Sequence, residues 1–541
     1  MTAGAAKLRL TFQREDVFRL ELAPDGTFTD PANTGEGAKL IAKTDYGQVT
    51  SSWKDAGDRY EIATGALTVK VGKSPALFSV HRADGSLVFA EKSPLTWDTS
   101  GTRQSLAPAA QEHFFGGGMQ NGRLDHTGTT IRITRDFDWD DGGNPNAAPY
   151  YASTAGYGVL RNTFAPGGYA FSSPVTTTHE EQRFDAYYFV APKALDLKTP
   201  LDRYTELTGR PMMPPIYGLE FGDADCYNHS SPTYTGTKNP NKWTTPSAVK
   251  VAQGYVDNDM PRGWMLVNDG YGCEYQQLPE TGVELRKRGI EMGLWTQRAL
   301  TNQEFEVRQA GVRVRKLDVA WVGPGYRHAL TGCEDARNGI EQYSDARGYV
   351  WMVEGWAGSQ RCAVQWTGDH YGTLDAIRWQ IPAITGAGLS GMPFTAGDVD
   401  GIFGGSGDSY VRDLQWKAFT PVLMSMSGWA SHDKQPWTRG EPYTSINRKY
   451  LKLRERLLPY LYTLAAEARP GPQVRDHTQL FQLIALGLAC AVVPESLRDQ
   501  LRDDHAIVPV PDAPAVTTVI AWPPHSRSKA VADLVRTATR L

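Results

Sequence analysis

The sequence contains few cysteines and no long apolar segment. Five cysteines occur in 541 residues, and no two of them have the CxxC spacing. A number of cysteines that is both small and odd argues against a disulfide framework and against a cysteine-ligated zinc site. No run reaches the roughly 18 apolar residues that a membrane-spanning helix needs. The sequence therefore predicts a protein without structural disulfides and without a membrane partner.

The charge is balanced, and the first residues lack an export signal. Lys and Arg total 56 against 60 Asp and Glu, so we expect no polyanion-binding surface and no nucleic-acid partner. Residues 1–12 hold no apolar stretch of signal-peptide length, which predicts a cytoplasmic location. Hydrophobic residues make up 40% and charged residues 21%, as in soluble globular proteins, and the length predicts two or three domains.

Several common catalytic motifs are also absent. The patterns GxSxG, HExxH and GxxxxGK[ST] do not occur, which argues against a serine hydrolase, a zincin or a phosphate-transfer enzyme. The glycines at 116–118 do not form GxGxxG, and the aspartates within 136–141 miss the EF-hand spacing, so they are typical of solvated turns. We therefore expect no cofactor and no metal site.

Aromatic residues are abundant by contrast. The chain has 15 Trp and 24 Tyr, and such rings cover the apolar faces of sugars well. A large β-rich protein also uses aromatic side chains for packing. The count alone leaves both interpretations open.

The sequence pattern changes twice along the chain. Residues 1–205 consist of short alternating stretches separated by turn residues, which predicts an N-terminal β-sandwich. Residues 206–469 alternate buried strands with helical segments, which predicts parallel βα units and, with eight candidate strands, a (β/α)₈ TIM barrel. Residues 470–541 form a short α/β tail of different character. The candidate strands are residues 216–223, 263–270, 289–297, 312–321, 349–358, 363–369, 388–398 and 419–428.

The ends of these candidate strands carry acidic and aromatic residues. Chemistry in such barrels is built at the carboxyl ends of the strands. Retaining glycosidases use two carboxylates, one as nucleophile and one as acid/base, and we expect Asp318 and Asp369 to form this pair on neighbouring strands. For a single strand-end Asp, a helix cap or a salt bridge is the commoner role. The candidate substrate-binding residues are Asp223, Asp225, Asp269, Trp295, Trp356, Arg361, Trp366, Asp398 and His432.

Four segments make the chain resemble glycoside hydrolase family 31. They are DRYTELTGRPMMPP at 202–215, KLD at 316–318, GSQRCAVQWTGD at 358–369 and DVDGIFGG at 398–405. The resemblance covers about residues 10–469. It implies a β-sandwich against a barrel, a retaining double displacement on an α-linked oligosaccharide or glycoconjugate, Asp318 as nucleophile and Asp369 as acid/base. It also implies that Asp269, Trp366, Asp398 and His432 line the sugar pocket.

Differences from the family pattern bear on the substrate. Many family α-glucosidases have an Arg-Ser pair where this chain has Val353-Glu354, and a Met-Asn-Glu-like run where it has Val319-Ala320-Trp321. The short interval between Asp318 and Asp369, together with NDGYGCEY at 268–275, resembles the branch of bacterial α-N-acetylgalactosaminidases. We therefore expect an α-N-acetylgalactosaminide or α-glucoside as substrate. The alternatives are a glucosyl- or isomaltosyl-transferring enzyme and a catalytically inactive carbohydrate-binding protein.

The tail differs from the rest of the chain. Residues 478–497, TQLFQLIALGLACAVVPESL, resemble the end of the effector domain of a LysR-type regulator. No helix-turn-helix accompanies this fragment, so a fusion is favoured over a regulator.

Overall fold

A computed structural model describes most of the first 468 residues. The described residues are 2–3, 5–136, 138–227, 244–269, 273, 277–296, 300–318, 325–427, 429–430 and 432–468. The predicted LysR-like segment 470–541 lies outside them.

Antiparallel strands dominate the described residues before 191. They are β1 (Thr2–Ala3), β2 (Ala6–Arg14), β3 (Val17–Ala23), β4 (Ser52–Asp55), β5 (Arg59–Ala63), β6 (Leu67–Gly72), β7 (Phe78–Arg82), β8 (Leu87–Asp98), β9 (Gly101–Ala107), β10 (Phe114–Met119), β11 (Thr130–Ile133), β12 (Asn146–Ser153), β13 (Tyr157–Arg161), β14 (Gly167–Phe171), β15 (Val175–His179) and β16 (Phe184–Val190). One sheet has the order β1-β2-β3-β16-β13-β12-β10, and the second has the order β11-β14-β15-β9-β8-β7-β6-β5-β4.

The two sheets share one apolar core. Strand β6 alternates buried and partly exposed residues along its whole length, as expected for a strand with one face in the core. Tyr188 of the first sheet stacks with its ring 5.4 Å from that of Phe89 in the second sheet. Contacts of this kind across the sheets make residues 6–190 a β-sandwich.

Helices α1 (Lys198–Thr208) and α2 (Ile216–Leu219) connect the sandwich to parallel strands that alternate with helices. These elements are β17 (Phe221–Ala224), α3 (Thr244–Asp257), β18 (Trp264–Leu266), α4 (Leu278–Arg286), β19 (Glu291–Thr296), β20 (Val312–Leu317), α5 (Tyr326–Tyr343), β21 (Tyr349–Met352), β22 (Val364–Trp366), α6 (Leu374–Leu389), β23 (Thr395–Ala396), α7 (Gly407–Lys417), β24 (Leu423–Met426) and α8 (Tyr443–Glu467). A π-helix, Glu304–Gln309, precedes β20.

The parallel strands form an eight-stranded barrel. Their order is β23-β22-β21-β20-β19-β18-β17-β24, and a bridge between Asp398 and Met424 links the two outer strands. Trp264 and Trp351 pack edge to face inside the barrel, with ring centroids 5.5 Å apart. The predicted fold class, a TIM barrel preceded by a β-sandwich, is confirmed.

Two of the predicted strands begin inside a helix. Residues 216–219 form helix α2 directly after Pro215, whose fixed φ suits the start of a helix, and the strand begins only at Phe221. Residues 388 and 389 belong to the end of helix α6, and the seventh strand is limited to Thr395–Ala396. In both places an apolar run is helical at one end, a distinction that hydrophobicity alone does not make.

Four cysteines of the described residues form two disulfides, so the expectation of a protein without structural disulfides is wrong. Cys226 pairs with Cys273 and Cys333 with Cys362, with Cα atoms 5.5 and 5.8 Å apart. Partners that lie 47 and 29 residues apart in the sequence give no local spacing signal. The cytoplasmic location stays a prediction.

Among the described helices, none combines the length and the apolarity that a membrane span requires.

Candidate active site

Four aspartates surround one buried lysine at the carboxyl ends of the barrel strands. Lys316 lies in β20 with its side chain 2% exposed. Its ammonium is 2.9 Å from Oδ1 of Asp269 and 3.2 Å from Oδ2 of Asp318. Burial opposes the charge of Lys316, but Asp269, Asp318, Asp398 and Asp369 together raise its pKa. The ammonium therefore stays charged, contacts Asp269 and Asp318 directly and acts on Asp369 and Asp398 through longer-range electrostatics.

Asp318 follows β20 immediately and receives two donors on one oxygen. The indole Nε1 of Trp295 donates to Oδ2 at 2.8 Å, and Lys316 approaches the same oxygen. The Asp318 side chain is 15% exposed. This arrangement fixes the carboxylate while leaving it accessible from the barrel mouth.

Asp369 follows β22 and has a more apolar environment. Burial raises its pKa to about 7, an effect that Lys316 partly offsets. Oδ1 of Asp369 has no hydrogen-bond partner among the described residues. One strand, β21, lies between β20 and β22, so the expectation that the two aspartates follow neighbouring strands is wrong.

A glycine and a tryptophan set the backbone beside Asp369. Gly368 has φ +93°, and a Cβ atom there would lie 2.1 Å from the ring of Trp139. Only glycine fits this combination of positive φ and close packing. Trp139 comes from the loop before β12 of the sandwich, so the sandwich supplies one wall beside the barrel mouth.

Trp366 connects the lysine to Asp398. Its indole Nε1 donates to Oδ2 of Asp398 at 3.1 Å, and the ammonium of Lys316 lies 4.5 Å from its ring centroid. Burial raises the pKa of Asp398, and its Oδ1 has no hydrogen-bond partner among the described residues. Asp398 thus offers one unsatisfied oxygen to a polar ligand.

Asp223 lies in strand β17, and Asp225 follows that strand directly. Asp223 accepts hydrogen bonds from the hydroxyls of Tyr227 and Tyr255 at 2.6 and 2.5 Å, and burial raises its pKa to about 6. Burial also raises the pKa of Asp225, whose Oδ1 accepts from the Cys226 amide at 2.6 Å. Both oxygens of Asp223 already have protein donors, so its predicted contact with substrate is less favoured.

The disulfide between Cys226 and Cys273 lies beside Asp269. Both sulfur atoms are close to the backbone oxygen of Asp269, at 3.0 and 3.2 Å. The disulfide therefore connects the segments that follow β17 and β18. Burial raises the pKa of Asp269 to about 6, against the effect of Lys316.

His432 lies in the segment after β24. A Cβ atom placed on Gly404 would be 3.0 Å from Cε1 of His432, and Nε2 of His432 contacts the guanidinium of Arg439. Burial, helped by Arg439, lowers its pKa, so the ring is neutral at pH 7 and can exchange a hydrogen bond with a sugar hydroxyl.

Two candidate residues are not at this site. Trp356 is fully buried against the sandwich, donates Nε1 to the backbone oxygen of Thr163 at 2.9 Å and stacks on Tyr326 at 4.0 Å. Arg361 binds Glu334 at 2.7 Å and the backbone oxygens of Lys39 and Thr208. The structure does not bring these two side chains to the aspartates, because their contacts join the barrel to the N-terminal part of the chain.

Three residues with clear structural roles were missed from the sequence. Lys316 stands two positions before Asp318, and strand alternation places both on one face, so that signal was present. Trp139 and Asn146 come from the sandwich, and nothing in the sequence around them indicated a role at the barrel mouth. Asn146 donates to the backbone oxygen of Trp366 at 2.7 Å and accepts from the amide of Gly355 at 2.6 Å.

Comparison with known families agrees with this architecture. Residues 249–464 match the Glycosyl hydrolases family 31 TIM-barrel domain, and residues 7–169 match the Glycosyl hydrolase 31 N-terminal galactose mutarotase-like domain. The barrel, the sandwich and these matches define a glycosidase, an enzyme that hydrolyses O-glycosyl bonds with retention. The chain belongs to glycoside hydrolase family 31.

Individual relatives cover much of the chain at low identity. α-Glucosidase 2 of Bacillus thermoamyloliquefaciens is 23% identical over 86% of this chain and 69% of its own length. An isomaltosyltransferase of Sporosarcina globispora is 21% identical over 85% of this chain and 52% of its own length. An α-xylosidase of Saccharolobus solfataricus is 32% identical, but over only 27% of this chain and 21% of its own length.

Solved structures share the fold. A dextranase of Flavobacterium johnsoniae, complexed with glucose, has a TM-score of 0.73 at 20% identity and covers 86% of this chain and 68% of its own. An α-xylosidase from a soil metagenome has a TM-score of 0.70 at 19% identity. The match covers 86% of this chain and 84% of the xylosidase chain.

The tail also has a match. The LysR substrate binding domain matches residues 429–541 weakly, and this range overlaps the barrel match. The relation of the tail to LysR-type regulators stays a prediction.

Proposed function

We propose that this protein is a retaining α-glycoside hydrolase in which Asp318 is the nucleophile and Asp369 the acid/base. The observation that carries the proposal is the contrast between the two carboxyl groups. One oxygen of Asp318 accepts from the Trp295 indole and approaches the Lys316 ammonium, whereas burial raises the pKa of Asp369 to about 7. A carboxylate and a protonated carboxyl at one site are the two groups that double displacement requires.

The reaction then follows from the roles proposed for these two carboxyl groups. Asp318 attacks the anomeric carbon while Asp369 gives its proton to the leaving glycosidic oxygen, which forms a glycosyl-aspartate ester and releases the leaving group. Asp369, now anionic, takes a proton from a water molecule, whose oxygen attacks the same carbon and displaces Asp318. The enzyme returns to its starting state with one glycosidic bond hydrolysed.

For the substrate we propose an α-glucoside or an α-N-acetylgalactosaminide. The names of α-glucosidase 2 and of the dextranase support the first. The second rests on the segment at 268–275 and on the short interval between Asp318 and Asp369. Asp269, Trp295, Trp366, Asp398 and His432 would bind the sugar, because each lies at or beside the carboxyl ends of the strands.

Transfer to a sugar instead of water is the second candidate function. The isomaltosyltransferase aligns with 85% of this chain, and a sugar hydroxyl can resolve the same glycosyl intermediate. Adding maltose or isomaltose to the assay and analysing the products separates the two outcomes.

A panel of 4-nitrophenyl α-glycosides tests the proposal. The glucoside, N-acetylgalactosaminide, galactoside and xyloside should be compared with the wild-type protein, Asp318→Ala and the control Asp335→Asn on the exposed face of α5. We expect Asp318→Ala to lose nearly all turnover and, with azide as external nucleophile, to form a β-glycosyl azide. Binding of sugar without turnover by the wild-type protein would instead support the inactive carbohydrate-binding alternative.

We also propose the three-part organisation predicted from the sequence, with residues 1–205, 206–469 and 470–541 as sandwich, barrel and fused LysR-like fragment. The weak LysR match supports the last part. Limited proteolysis tests it, since a fused fragment should be cut near 469–475 before the barrel is degraded.

A further inference from the structure

A disulfide joins the segments that follow β17 and β18 at the carboxyl end of the barrel. It pairs Cys226 with Cys273, which lies four positions beyond Asp269. Both sulfur atoms lie close to the backbone oxygen of Asp269, at 3.0 and 3.2 Å. The amide of Asp269 donates to the backbone oxygen of Asp225 at 3.0 Å. The backbone of Asp269 is therefore in contact with the segment after β17 through both its amide and its carbonyl oxygen.

The position of Asp269 matters because its carboxyl group belongs to the charged cluster. Oδ1 of Asp269 is 2.9 Å from the ammonium of Lys316, which also approaches Asp318. The preceding residue, Asn268, exchanges two hydrogen bonds with the backbone of Trp295, at 2.8 and 3.2 Å. The indole of Trp295 in turn donates to Asp318. A displacement of this segment would therefore reach the proposed nucleophile through two of its partners.

The second disulfide lies at the other end of the barrel. Cys333 belongs to helix α5, and Cys362 shortly precedes β22, whereas the proposed acid/base Asp369 follows the carboxyl end of that strand. Its partners are 29 residues apart in the chain, against 47 for the first disulfide, so the two bonds constrain the unfolded chain to a similar degree. The second disulfide therefore offers a comparison with a similar effect on stability and no contact with the aspartates described above.

We propose that the disulfide between Cys226 and Cys273 positions Asp269 for the sugar, so that substrate binding and turnover depend on whether this bond is oxidised. This inference rests on the proposed function. The bond keeps the Cα atoms of the two cysteines 5.5 Å apart and places both sulfur atoms against Asp269. A binding group is precise only when the groups around it hold its geometry, and here a covalent bond supplies part of that support.

Reduction of this bond requires a dithiol as co-reactant. A thiolate of dithiothreitol attacks one sulfur and forms a mixed disulfide, and the other cysteine leaves as a thiolate that takes up a proton. The second thiol of the reagent loses its proton, closes the reagent's own disulfide ring and displaces the remaining cysteine, which is protonated in turn. Two electrons and two protons thus pass from the dithiol to the protein. The segments after β17 and β18 are then joined by noncovalent contacts alone.

Double serine variants test the proposal, with kinetics on the aryl α-glycoside that the wild-type protein cleaves best. At a temperature where all variants are folded, we expect Cys226→Ser/Cys273→Ser to lower kcat/KM at least about tenfold, and the control Cys333→Ser/Cys362→Ser less than about twofold. Dithiothreitol should reproduce the loss in the control variant, which keeps the first disulfide. It should have no effect on Cys226→Ser/Cys273→Ser. Alkylation followed by mass spectrometry verifies that the bond has been reduced.

A double-mutant cycle separates the positioning of Asp269 from a general loss of stability. If the disulfide acts through Asp269, its removal from an Asp269→Asn background should change kcat/KM by less than about threefold, because the group that it positions is already altered. If Asp269→Asn turns over too slowly, the same cycle is measured as sugar affinity by calorimetry. Fully additive losses, equal losses in the two double serine variants, or loss of activity on reduction of Cys226→Ser/Cys273→Ser would each overturn the proposal.

Hydrogen exchange provides a readout that does not require catalysis. In Cys226→Ser/Cys273→Ser, peptides that cover residues 266–269 should exchange at least about tenfold faster than in wild type, while β20 is unchanged. Unchanged exchange at 266–269 in an active enzyme refutes the inference and leaves the proposed function intact. If the wild-type protein cleaves no α-glycoside, the proposed function fails. Faster exchange together with weaker sugar binding then supports the inference for a binding protein, and unchanged sugar binding refutes it.

Discussion

Replacing Asn146 tests whether the sandwich maintains the site in the barrel. Asn146 is fully buried, and its side chain bridges two barrel strand ends through the oxygen of Trp366 and the amide of Gly355. Asn146→Ala leaves both backbone groups buried without a partner. Each such loss costs about 1–3 kcal/mol, so we expect the free energy of unfolding to fall by about 2–6 kcal/mol.

Turnover should also fall, because Trp366 connects Asn146 to the charged groups. The indole of Trp366 binds Asp398 and covers Lys316, and a shift of about 1 Å in a positioning group can cost on the order of a hundredfold in rate. We expect Asn146→Ala to lower kcat/KM at least tenfold at a temperature where the variant is folded.

Asn162→Ala is the control. Asn162 is equally buried and donates to Asp30 and Asp185 at 3.1 and 2.8 Å, but these contacts lie within the N-terminal part of the chain. Urea unfolding followed by tryptophan fluorescence, together with kinetics on the best aryl glycoside, gives both quantities. The reasoning is refuted if Asn146→Ala unfolds within about 0.5 kcal/mol of wild type, or if both variants lose the same activity.

Two further predictions concern pH. Because Asp369 must be protonated to release the leaving group and burial raises its pKa to about 7, kcat/KM should fall as pH rises through about 7; a flat profile from pH 6 to 8 would contradict this. For Glu91, the folded pKa of about 8 lies above the unfolded value of about 4.3, so its contribution to stability is fully present below about pH 4 and is lost as pH rises to about 8. Glu91→Gln should therefore gain stability relative to wild type by about 1.4 kcal/mol per pH unit across this window, and urea unfolding at pH 5, 6 and 7 measures the gain.

The barrel could be predicted because its signal is local. Each parallel strand is buried on both sides, so it reads as an apolar run, and Asp318 and Asp369 each stand at the end of such a run. The errors also have local causes. The segment at 216–219 is as apolar as a strand, and only the helical backbone after Pro215 distinguishes it.

The contacts around the aspartates could not be predicted, because they join distant parts of the chain. Asn146 lies 220 residues before Trp366, and Trp139 reaches Gly368 from the same part of the sandwich. The positions of Trp356 and Arg361 away from the aspartates have the same cause. A position at the end of a strand shows that a residue is near the barrel mouth. It does not show whether the side chain already forms its contacts with the sandwich.

The balance of charge at the site emerges only when the barrel closes. The ammonium of Lys316 faces four carboxyl groups from four strand ends, and Lys434 acts on Asp398 more strongly than Lys316 does. Burial nevertheless raises the pKa of Asp269, Asp369 and Asp398, because a low-dielectric site disfavours charged carboxylates. The proposed acid, Asp369, is therefore partly protonated near neutral pH, which a sequence pattern alone does not show.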